Sequence, residues 1–272
     1  MSIIQRIGYR KIIYLLVLIF TVTPMIYPFG LPVEVSTQSN DLFNYIENLP
    51  AGSKVAINFA AFAGMYPDSQ AATRAVLIHI MKRPLDIVLW HSGPDGPLLF
   101  DAEMEFVSVG DRVYGEDHVY LPYVGGGEAT MAAIAENIRG VFSVDIDGTP
   151  IDNIPLMQNI NRAEDFDLIL VLADCGGATE WGVRQWNIAH GVSVGGTPCS
   201  ISYPDLLPFW KTGSIIGMTN GVRGGGEYEL LVKKPGPGLK NTDVMSSLHI
   251  LFIVLIVVGN IGDFMKRSGG GS

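Results

Sequence analysis

The stretch Asp167-Leu-Ile-Leu-Val-Leu-Ala-Asp-Cys-Gly-Gly177 decides the fold class of this chain. Its apolar run, residues 168–173, is rich in branched side chains and too short for a helix, which is typical of a strand buried on both faces. A glycine turn follows, and then a helical pattern from Ala178 to about His190. This strand–turn–helix order is half of a βαβ unit. Ligands of open α/β sheets usually bind at the carboxyl ends of such strands, so the turn is a candidate site.

The same alternation of strands and helices extends over most of the chain. Strands are predicted at residues 54–62, 85–90, 119–124 and 192–194, with a possible edge strand at 215–218. Helices are predicted at 41–48, 68–82, 97–109, 128–142 and 204–210, with a helical turn or two at 227–232 and a long polar connection at 143–161. This pattern predicts a three-layer, Rossmann-like α/β domain with a mostly parallel sheet.

Both ends of the chain are apolar enough to cross a membrane. Residues 12–30 carry no charge, and residues 248–262 are equally apolar. Each run is near the short end of the spanning range. The alternatives are a signal peptide at the front and a buried helix at the back. No small-x-small cleavage site follows the first run, where Pro24 and Pro28 stand instead, so we expect an uncleaved anchor.

We therefore expect one α/β domain between two transmembrane helices. The predicted segments are an N-terminal anchor at 1–30, a juxtamembrane stalk at 31–52, the domain at 53–234, a Pro/Gly hinge at 235–247, a C-terminal transmembrane helix at 248–265, and a basic end with a linker tag at 266–272.

Charges beside the spans predict the orientation. Arg6, Arg10 and Lys11 precede the first span and acidic residues follow it, which places the amino terminus in the cytoplasm. The second span returns the carboxyl terminus to the same side, although three lysines between 233 and 240 oppose this orientation. We expect a protein of the cytoplasmic membrane with both termini cytoplasmic and the domain outside.

Charge also limits the possible partners. Acidic residues outnumber basic ones 27 to 18, so nucleic acid and anionic headgroups are poor partners. The lipid bilayer is the partner that the apolar ends predict. Two cysteines are too few for a disulfide scaffold.

His91 and Cys175 are the candidate catalytic pair, because each stands directly after a buried strand. Caspase-like cysteine peptidases show a similar local pattern, in which an imidazole serves a thiol as base. The two residues are far apart in sequence, and the Asp174 carboxylate would disfavour a thiolate. The alternatives are a structural thiol with a turn histidine, or a Cys175–Cys199 disulfide, since Cys199 ends the next strand.

Glycines and polar groups at strand ends are candidate ligand-binding residues. Gly125, Gly126 and Gly127 lead from a strand into a helix, a geometry that presents free amides to an anion. They match no phosphate-binding motif, and Glu128 would repel an anion, so close helix–sheet packing is the alternative. A pocket for a small ligand would combine these strand ends. Its further candidate residues are Asn58, Ser92, Asp174 and Thr197.

Arg223 and a group of three aspartates are further polar candidates. Arg223, in the glycine-rich segment 221–228, is a candidate carboxylate clamp, with close backbone contact as the alternative. Asp145, Asp147 and Asp152 lack a regular calcium loop, so a solvated loop is expected and no metal or cofactor is predicted.

Gly259, Asn260 and Gly262 are candidates for a contact between membrane helices. An amide flanked by small residues lets two helices approach closely and form a hydrogen bond. The partner helix would be the first span or another subunit, and a lone polar residue near the membrane interface is the alternative.

Three segments resemble a group of prokaryotic two-span membrane proteins. They are Tyr114-Gly-Glu-Asp-His-Val-Tyr-Leu-Pro-Tyr-Val-Gly-Gly-Gly-Glu128, Gly148-Thr-Pro-Ile-Asp-Asn-Ile-Pro-Leu156 and Gly226-Glu-Tyr-Glu-Leu-Leu231. The order of spans and domain fits as well, so the resemblance covers nearly the whole chain. It implies a membrane location and a Rossmann-like domain, and it implies no activity.

The sequence contains no complete catalytic constellation. We therefore expect a non-enzymatic subunit or scaffold of a membrane complex, which associates with itself or with other membrane-protein subunits. The alternatives are a cysteine hydrolase that uses His91 and Cys175, and an extracytoplasmic sensor of a small ligand.

Overall fold

The computed structural model describes residues 8–269, with the backbone alone for Tyr9 and for 262–269. The described chain divides into two compact units. One is the α/β domain, Glu34–Gly238, and the other, called here the helical unit, consists of the described residues on either side of it.

Six parallel strands form the sheet, in the order β3-β2-β1-β4-β5-β6. They are β1 (Lys54–Phe59), β2 (Asp86–His91), β3 (His118–Tyr123), β4 (Leu168–Asp174), β5 (Ser193–Pro198) and β6 (Ile215–Met218). This is the strand order of the Rossmann fold, and the predicted α/β class is confirmed. Every residue of β4 is buried, because it lies in the middle of a sheet that helices cover on both faces.

The helices are α1 (Tyr9–Ile26), α2 (Thr37–Asn48), α3 (Tyr66–Lys82), α4 (Gly96–Met104), α5 (Gly127–Glu136), α6 (Ile138–Val141), α7 (Ala178–Gly182), α8 (Tyr203–Lys211), α9 (Gly221–Leu231) and α10 (Pro237–Gly269). Helices α3 to α8 lie between successive strands, whereas α1 and α2 precede β1 and α9 and α10 follow β6. A π-helix, Val183–Ile188, continues α7. Alternate strand residues enter opposite cores, so Ala56 and Trp90 pack with α5 whereas Ile57 and Leu89 pack with α3.

The helix predicted at 128–142 is broken. Its first part is α5, and Asn137 then adopts an extended conformation with φ of −161°. The Asn137 side chain accepts a hydrogen bond from the Gly140 amide at 3.1 Å and so caps α6. The Ile138 amide donates to the Asn161 carbonyl at 2.7 Å, a contact far away in sequence. Capping and a tertiary hydrogen bond therefore override the helical pattern.

The connection predicted as polar, 143–161, covers one face of the sheet. It contains the 3₁₀-helices Ile151–Asn153 and Pro155–Asn159. Ile151, Met157 and Ile160 are buried in the same core as Trp90. Prolines interrupt any regular spacing of these apolar residues, and the segment therefore does not have the periodicity of a packed element.

Residues 34–52 belong to the α/β domain and do not form a stalk. Leu42 and Ile46 of α2 are completely buried. A Cβ atom at Gly217 of β6 would overlap the Leu42 backbone, so α2 lies directly on the sheet. At the start of α2, the hydroxyls of Ser36 and Ser39 donate to the buried Glu227 carboxylate at 2.5 and 2.7 Å. Helix packing and these hydrogen bonds fix the segment.

The glycine-rich end of the domain is more regular than its sequence suggests. The turn or two predicted at 227–232 is the eleven-residue helix α9. The hinge predicted at 235–247 is also shorter, because α10 begins at Pro237. The Glu229 carboxylate accepts hydrogen bonds from the amides of Gly236 and Gly238 at 2.9 and 2.8 Å, which orders the turn before that helix.

The helical unit contains α1 and most of α10. One described helix, Pro237–Ile261, is long and apolar enough to cross a membrane. The Ser247 hydroxyl donates to the Phe20 carbonyl at 2.8 Å. The Asp243 carboxylate accepts from the amides of Gly30 and Leu31 at 2.9 and 3.0 Å. These contacts place the first helix and the segment after it antiparallel to α10.

Candidate functional site

The candidate site lies at the carboxyl edge of the sheet. The chain order of the strands reverses between β1 and β4, and this is where open α/β sheets form a crevice for ligands. The turns after β1, β2, β3 and β4 all end at this edge because the strands are parallel. Ser92, Gly125, Gly126 and Cys175 lie in these turns, and Asn58, His91 and Asp174 lie at or near the ends of the strands before them.

Asp174 ends β4 and caps the helix that follows. Its carboxylate accepts hydrogen bonds from the amides of Gly176, Ala178 and Thr179 at 2.9, 3.0 and 2.7 Å. These are the amides that a bound anion would otherwise use at a helix start. Asp174 is therefore occupied within its own turn, and no ligand contact is assigned to it.

Thr197 of β5 is also engaged inside the domain. Its side chain is completely buried. The Thr197 hydroxyl lies 2.8 Å from the Thr73 hydroxyl and accepts from the Ala173 amide at 2.9 Å. Ala173 has a φ of +58°, a left-handed conformation that is costly for a residue with a side chain. Thr197 thus holds the bend at the end of β4.

Cys175 and Cys199 form a disulfide, with their Cα atoms 5.1 Å apart. The Cys199 amide donates to the Asp174 carbonyl at 2.8 Å, which aligns the ends of β4 and β5. In this state Cys175 carries no thiol, and a nucleophilic role would first require reduction.

His91 ends β2 and lies in an aromatic environment. Its ring is 5.8 Å from that of Phe59 and 5.4 Å from that of Phe100. Burial lowers the pKa of His91 to about 4 because charging the ring in an apolar site is unfavourable. His91 thus packs against aromatic rings, whereas Cys175 is held in the disulfide.

The structure does bring Asn58, Ser92 and Gly127 together around one small cavity, called here the Asn58 cavity. Its other lining residues are Trp90, Val124, Thr130, Met131, Ile134 and Trp181. The cavity has a volume of about 10 Å³, which is room for about one water-sized group. Both polar atoms of the Asn58 carboxamide are buried and have no hydrogen-bond partner.

The predicted glycine loop forms the rim of the Asn58 cavity. Gly126 and Gly127 have φ of +106° and +61°, so the loop needs glycine at both positions. A Cβ atom at Gly127 would lie 3.5 Å from the Trp181 ring. The Thr130 hydroxyl donates to the Gly125 carbonyl at 2.7 Å and closes the loop. No side chain caps the amino end of α5.

Arg184 changes the charge that the sequence predicts near this loop. It contacts the Glu128 carboxylate with two hydrogen bonds of 2.7 and 2.9 Å. These bonds, together with one from Gln185, lower the pKa of Glu128 to about 2. The negative charge of Glu128 is thus paired. Arg184, Trp181 and Thr130 lie on helices, so the strand-end pattern of the sequence does not reveal them.

The charged candidates Arg223, Asp152 and Asp145 form hydrogen bonds with other groups of the α/β domain. Arg223 donates to Glu227 at 2.8 Å, and Asp152 accepts from Arg139 at 2.9 Å. The Asp145 carboxylate accepts hydrogen bonds from the amides of Asp147 and Thr149 at 3.0 and 2.8 Å, as in a self-contained turn. Among the described residues no cluster of three or more His, Cys, Asp or Glu side chains has the geometry of a metal site.

A larger cleft, of about 640 Å³, lies at the opposite, amino edge of the sheet. Arg112 lines this cleft. Its guanidinium donates hydrogen bonds to the backbone carbonyls of Arg83, Leu85 and Asp117 and therefore stabilises the fold. Burial, followed by the nearby Asp117, raises the pKa of Asp86 in this cleft. The cleft lies away from the crevice that the strand order creates.

In the helical unit, the predicted contact residues Gly259 and Asn260 face outward, and only the backbone of Gly262 is described. A Cβ atom at Gly259 would have no neighbour within 4 Å. The Asn260 amide donates at 2.8 Å to the Ile256 carbonyl of its own helix. Within the described chain, the Ser247 hydroxyl of α10 instead contacts α1, at the Phe20 carbonyl.

Comparison of the chain with protein-family models, with curated proteins and with solved structures yields no match.

Proposed function

We propose that the protein is a membrane-anchored, non-enzymatic subunit of a membrane complex, which presents its α/β domain outside the cytoplasm. The observation that carries this proposal is the apolar helix Pro237–Ile261, of which only 11% is buried. An apolar surface of this length costs too much free energy to remain in water, whereas it matches the hydrocarbon thickness of a bilayer.

The contacts of α1 support a two-helix anchor. Ser247 and Asp243 are buried and bind backbone groups of the first helix and of the segment after it. Side-chain hydrogen bonds of this kind stabilise pairs of helices in membranes. If α10 spans the bilayer, α1 lies beside it in the same layer, as the proposal requires.

The disulfide supports placement of the domain outside the cytoplasm. Disulfides persist in oxidising compartments and are reduced in most cytosols. The Cys175–Cys199 pair therefore agrees with the orientation that the basic residues before the first span predict.

The open space beside Gly259, among the described residues of α10, supports self-association. Asn260 is exposed on the same helix as Gly259, and a second copy of the chain would offer its amide a partner in the membrane. The contact would be isologous, with the same face on both copies.

The test is the mass of the full-length protein in mild detergent, measured by light scattering. The proposal predicts a dimer or larger assembly, and weaker association for Asn260→Leu. Ile253→Leu, a change on an exposed position of the same helix, is the matched control and should leave the mass unchanged. A monomer that copurifies with no other membrane protein would contradict the proposal.

The side of the membrane on which the α/β domain lies needs a separate measurement. After mild reduction, a membrane-impermeant maleimide should label Cys175 in intact cells. Labelling that appears only after the membrane is opened would place the domain in the cytoplasm.

A further inference from the structure

We propose that the Asn58 cavity binds a small uncharged molecule that carries a carboxamide-like edge, with one hydrogen-bond donor beside one acceptor. The site would lie at the carboxyl edge of the sheet, beside Asn58 of β1, and would be closed by the Trp181 side chain. This inference is independent of the anchoring and assembly proposed above.

Asn58 provides the main observation. It is the next-to-last residue of β1, its side chain is completely buried, and it shares its face of the sheet with Ala56 and Ala60. Neither the carboxamide nitrogen nor the oxygen has a partner. A buried polar group without a partner is costly, and an apolar residue would fill this position at less cost. The group that best satisfies both atoms is another donor–acceptor edge, as in a pair of amides.

The absence of charge around the cavity indicates an uncharged ligand. None of the nine residues that line it is acidic or basic. The nearest charge that the glycine loop carries, on Glu128, is paired with Arg184. A charged ligand would lose its hydration without gaining a counter-ion.

Aromatic walls suit a flat ligand. Trp90 is buried and stacks on Trp186, with ring centroids 5.7 Å apart and an interplanar angle of 22°. Trp181 also lines the cavity and is only partly buried. Offset stacking on such rings favours planar groups, and an amide is planar.

Trp181 is the group that can open the site. The cavity as it stands, at about 10 Å³, is smaller than an amide of four non-hydrogen atoms. Trp90 is fixed by Trp186, whereas Trp181 lies at the rim against Gly127. Two residues after Trp181 the chain enters the π-helix Val183–Ile188. Such wide turns are rare and occur mostly at functional sites, where they place side chains that a regular helix would misdirect.

The test uses acetamide as the probe and the full-length protein in detergent. Indole ¹H–¹⁵N signals of the four tryptophans report on the cavity. The proposal predicts saturable shifts of the Trp181 and Trp90 signals, with a Kd no tighter than roughly tens of micromolar for so small a probe. Two matched probes accompany it. Acetate is charged, N,N-dimethylacetamide lacks the donor, and each should bind at least about tenfold more weakly, as expected when one buried hydrogen bond is lost.

Substitutions test whether acetamide binds at the Asn58 cavity. Asn58→Leu should weaken acetamide binding by at least about tenfold, because both hydrogen bonds are removed. Asn48→Leu, on an exposed position of α2, is the control and should bind as the wild type does. Trp181→Ala should admit benzamide, and benzamide should bind this variant more tightly than the wild type.

Two results would overturn the proposal. One is the lack of any saturable shift up to the solubility limit of acetamide. The other is equal binding of acetamide and N,N-dimethylacetamide by the wild type, a comparison that holds even if Asn58→Leu fails to fold.

Discussion

Removal of the disulfide tests the geometry of the β4 and β5 turns most directly. The variant for this test combines Cys175→Ser and Cys199→Ala. Serine suits the partly exposed position 175, and alanine suits position 199, which is completely buried. The hydrogen bond from the Cys199 amide to the Asp174 carbonyl remains, so the two turns keep their alignment in the folded state.

The expected loss of stability follows from the length of the loop. The two cysteines are 24 residues apart. Closing a loop of this length restricts the unfolded chain, and the lost entropy corresponds to about 3.5 kcal/mol at 25 °C. For a domain of this size, that free energy corresponds to a shift of the urea midpoint by roughly 1.5 M.

The assay is urea unfolding of the full-length protein in detergent, followed by tryptophan fluorescence with and without reductant. Reductant should lower the stability of the wild type by about the same 3.5 kcal/mol and should not change the double variant. Iodoacetamide should modify neither cysteine of the folded wild type before reduction. Two reactive thiols in protein purified without reductant, or an unchanged urea midpoint after reduction, would refute the reasoning.

Three further predictions concern the α/β domain. Because burial lowers the pKa of His91 to about 4, the unfolded state binds a proton below pH 6.5 that the folded state does not. The free energy of unfolding should therefore fall by roughly 3 kcal/mol from pH 7 to pH 4, and by clearly less in His91→Phe; equal pH profiles would contradict this. Leu42→Ala should destabilise the domain by about 2 to 5 kcal/mol in urea, whereas Leu98→Ala, at a position 75% exposed, should have little effect. Gly217→Ala should cost about 3 kcal/mol or prevent folding, because its Cβ atom would overlap the α2 backbone; a wild-type melting temperature would show that α2 does not pack there.

The fold class was predictable because it depends on local patterns. The run 168–173 is apolar on both faces, and its burial in β4 follows from that pattern alone. The break at Asn137 was not predictable, because the Ile138 amide donates its hydrogen bond to the carbonyl of Asn161, which is distant in sequence. The position of α2 was missed for a similar reason. Nothing in residues 37–48 indicates that Gly217, far along the chain, leaves room for the helix.

The candidate site was predicted in part. Ser92 and Gly127 follow predicted strands and Asn58 lies within the strand predicted at 54–62, and the rule that ligands bind at carboxyl ends selected them. The same rule selected Asp174 and Thr197, which are engaged in hydrogen bonds within the domain. Position at a strand end does not distinguish a free polar group from one that is already paired.

By itself, the sequence determined that this chain forms an α/β domain with an apolar helix long enough for a membrane. Both properties depend on hydropathy and on whether apolar residues recur every two or every 3.6 residues. These patterns are set by residues that are close together in sequence. The tertiary structure alone decided that Cys175 pairs with Cys199, that the Thr197 hydroxyl binds the Ala173 amide, and that Asn58 is buried without a partner. The physical reason is that the partner of a buried polar group depends on the folded chain. The partner often lies more than twenty residues away in sequence, and no local sequence pattern predicts it.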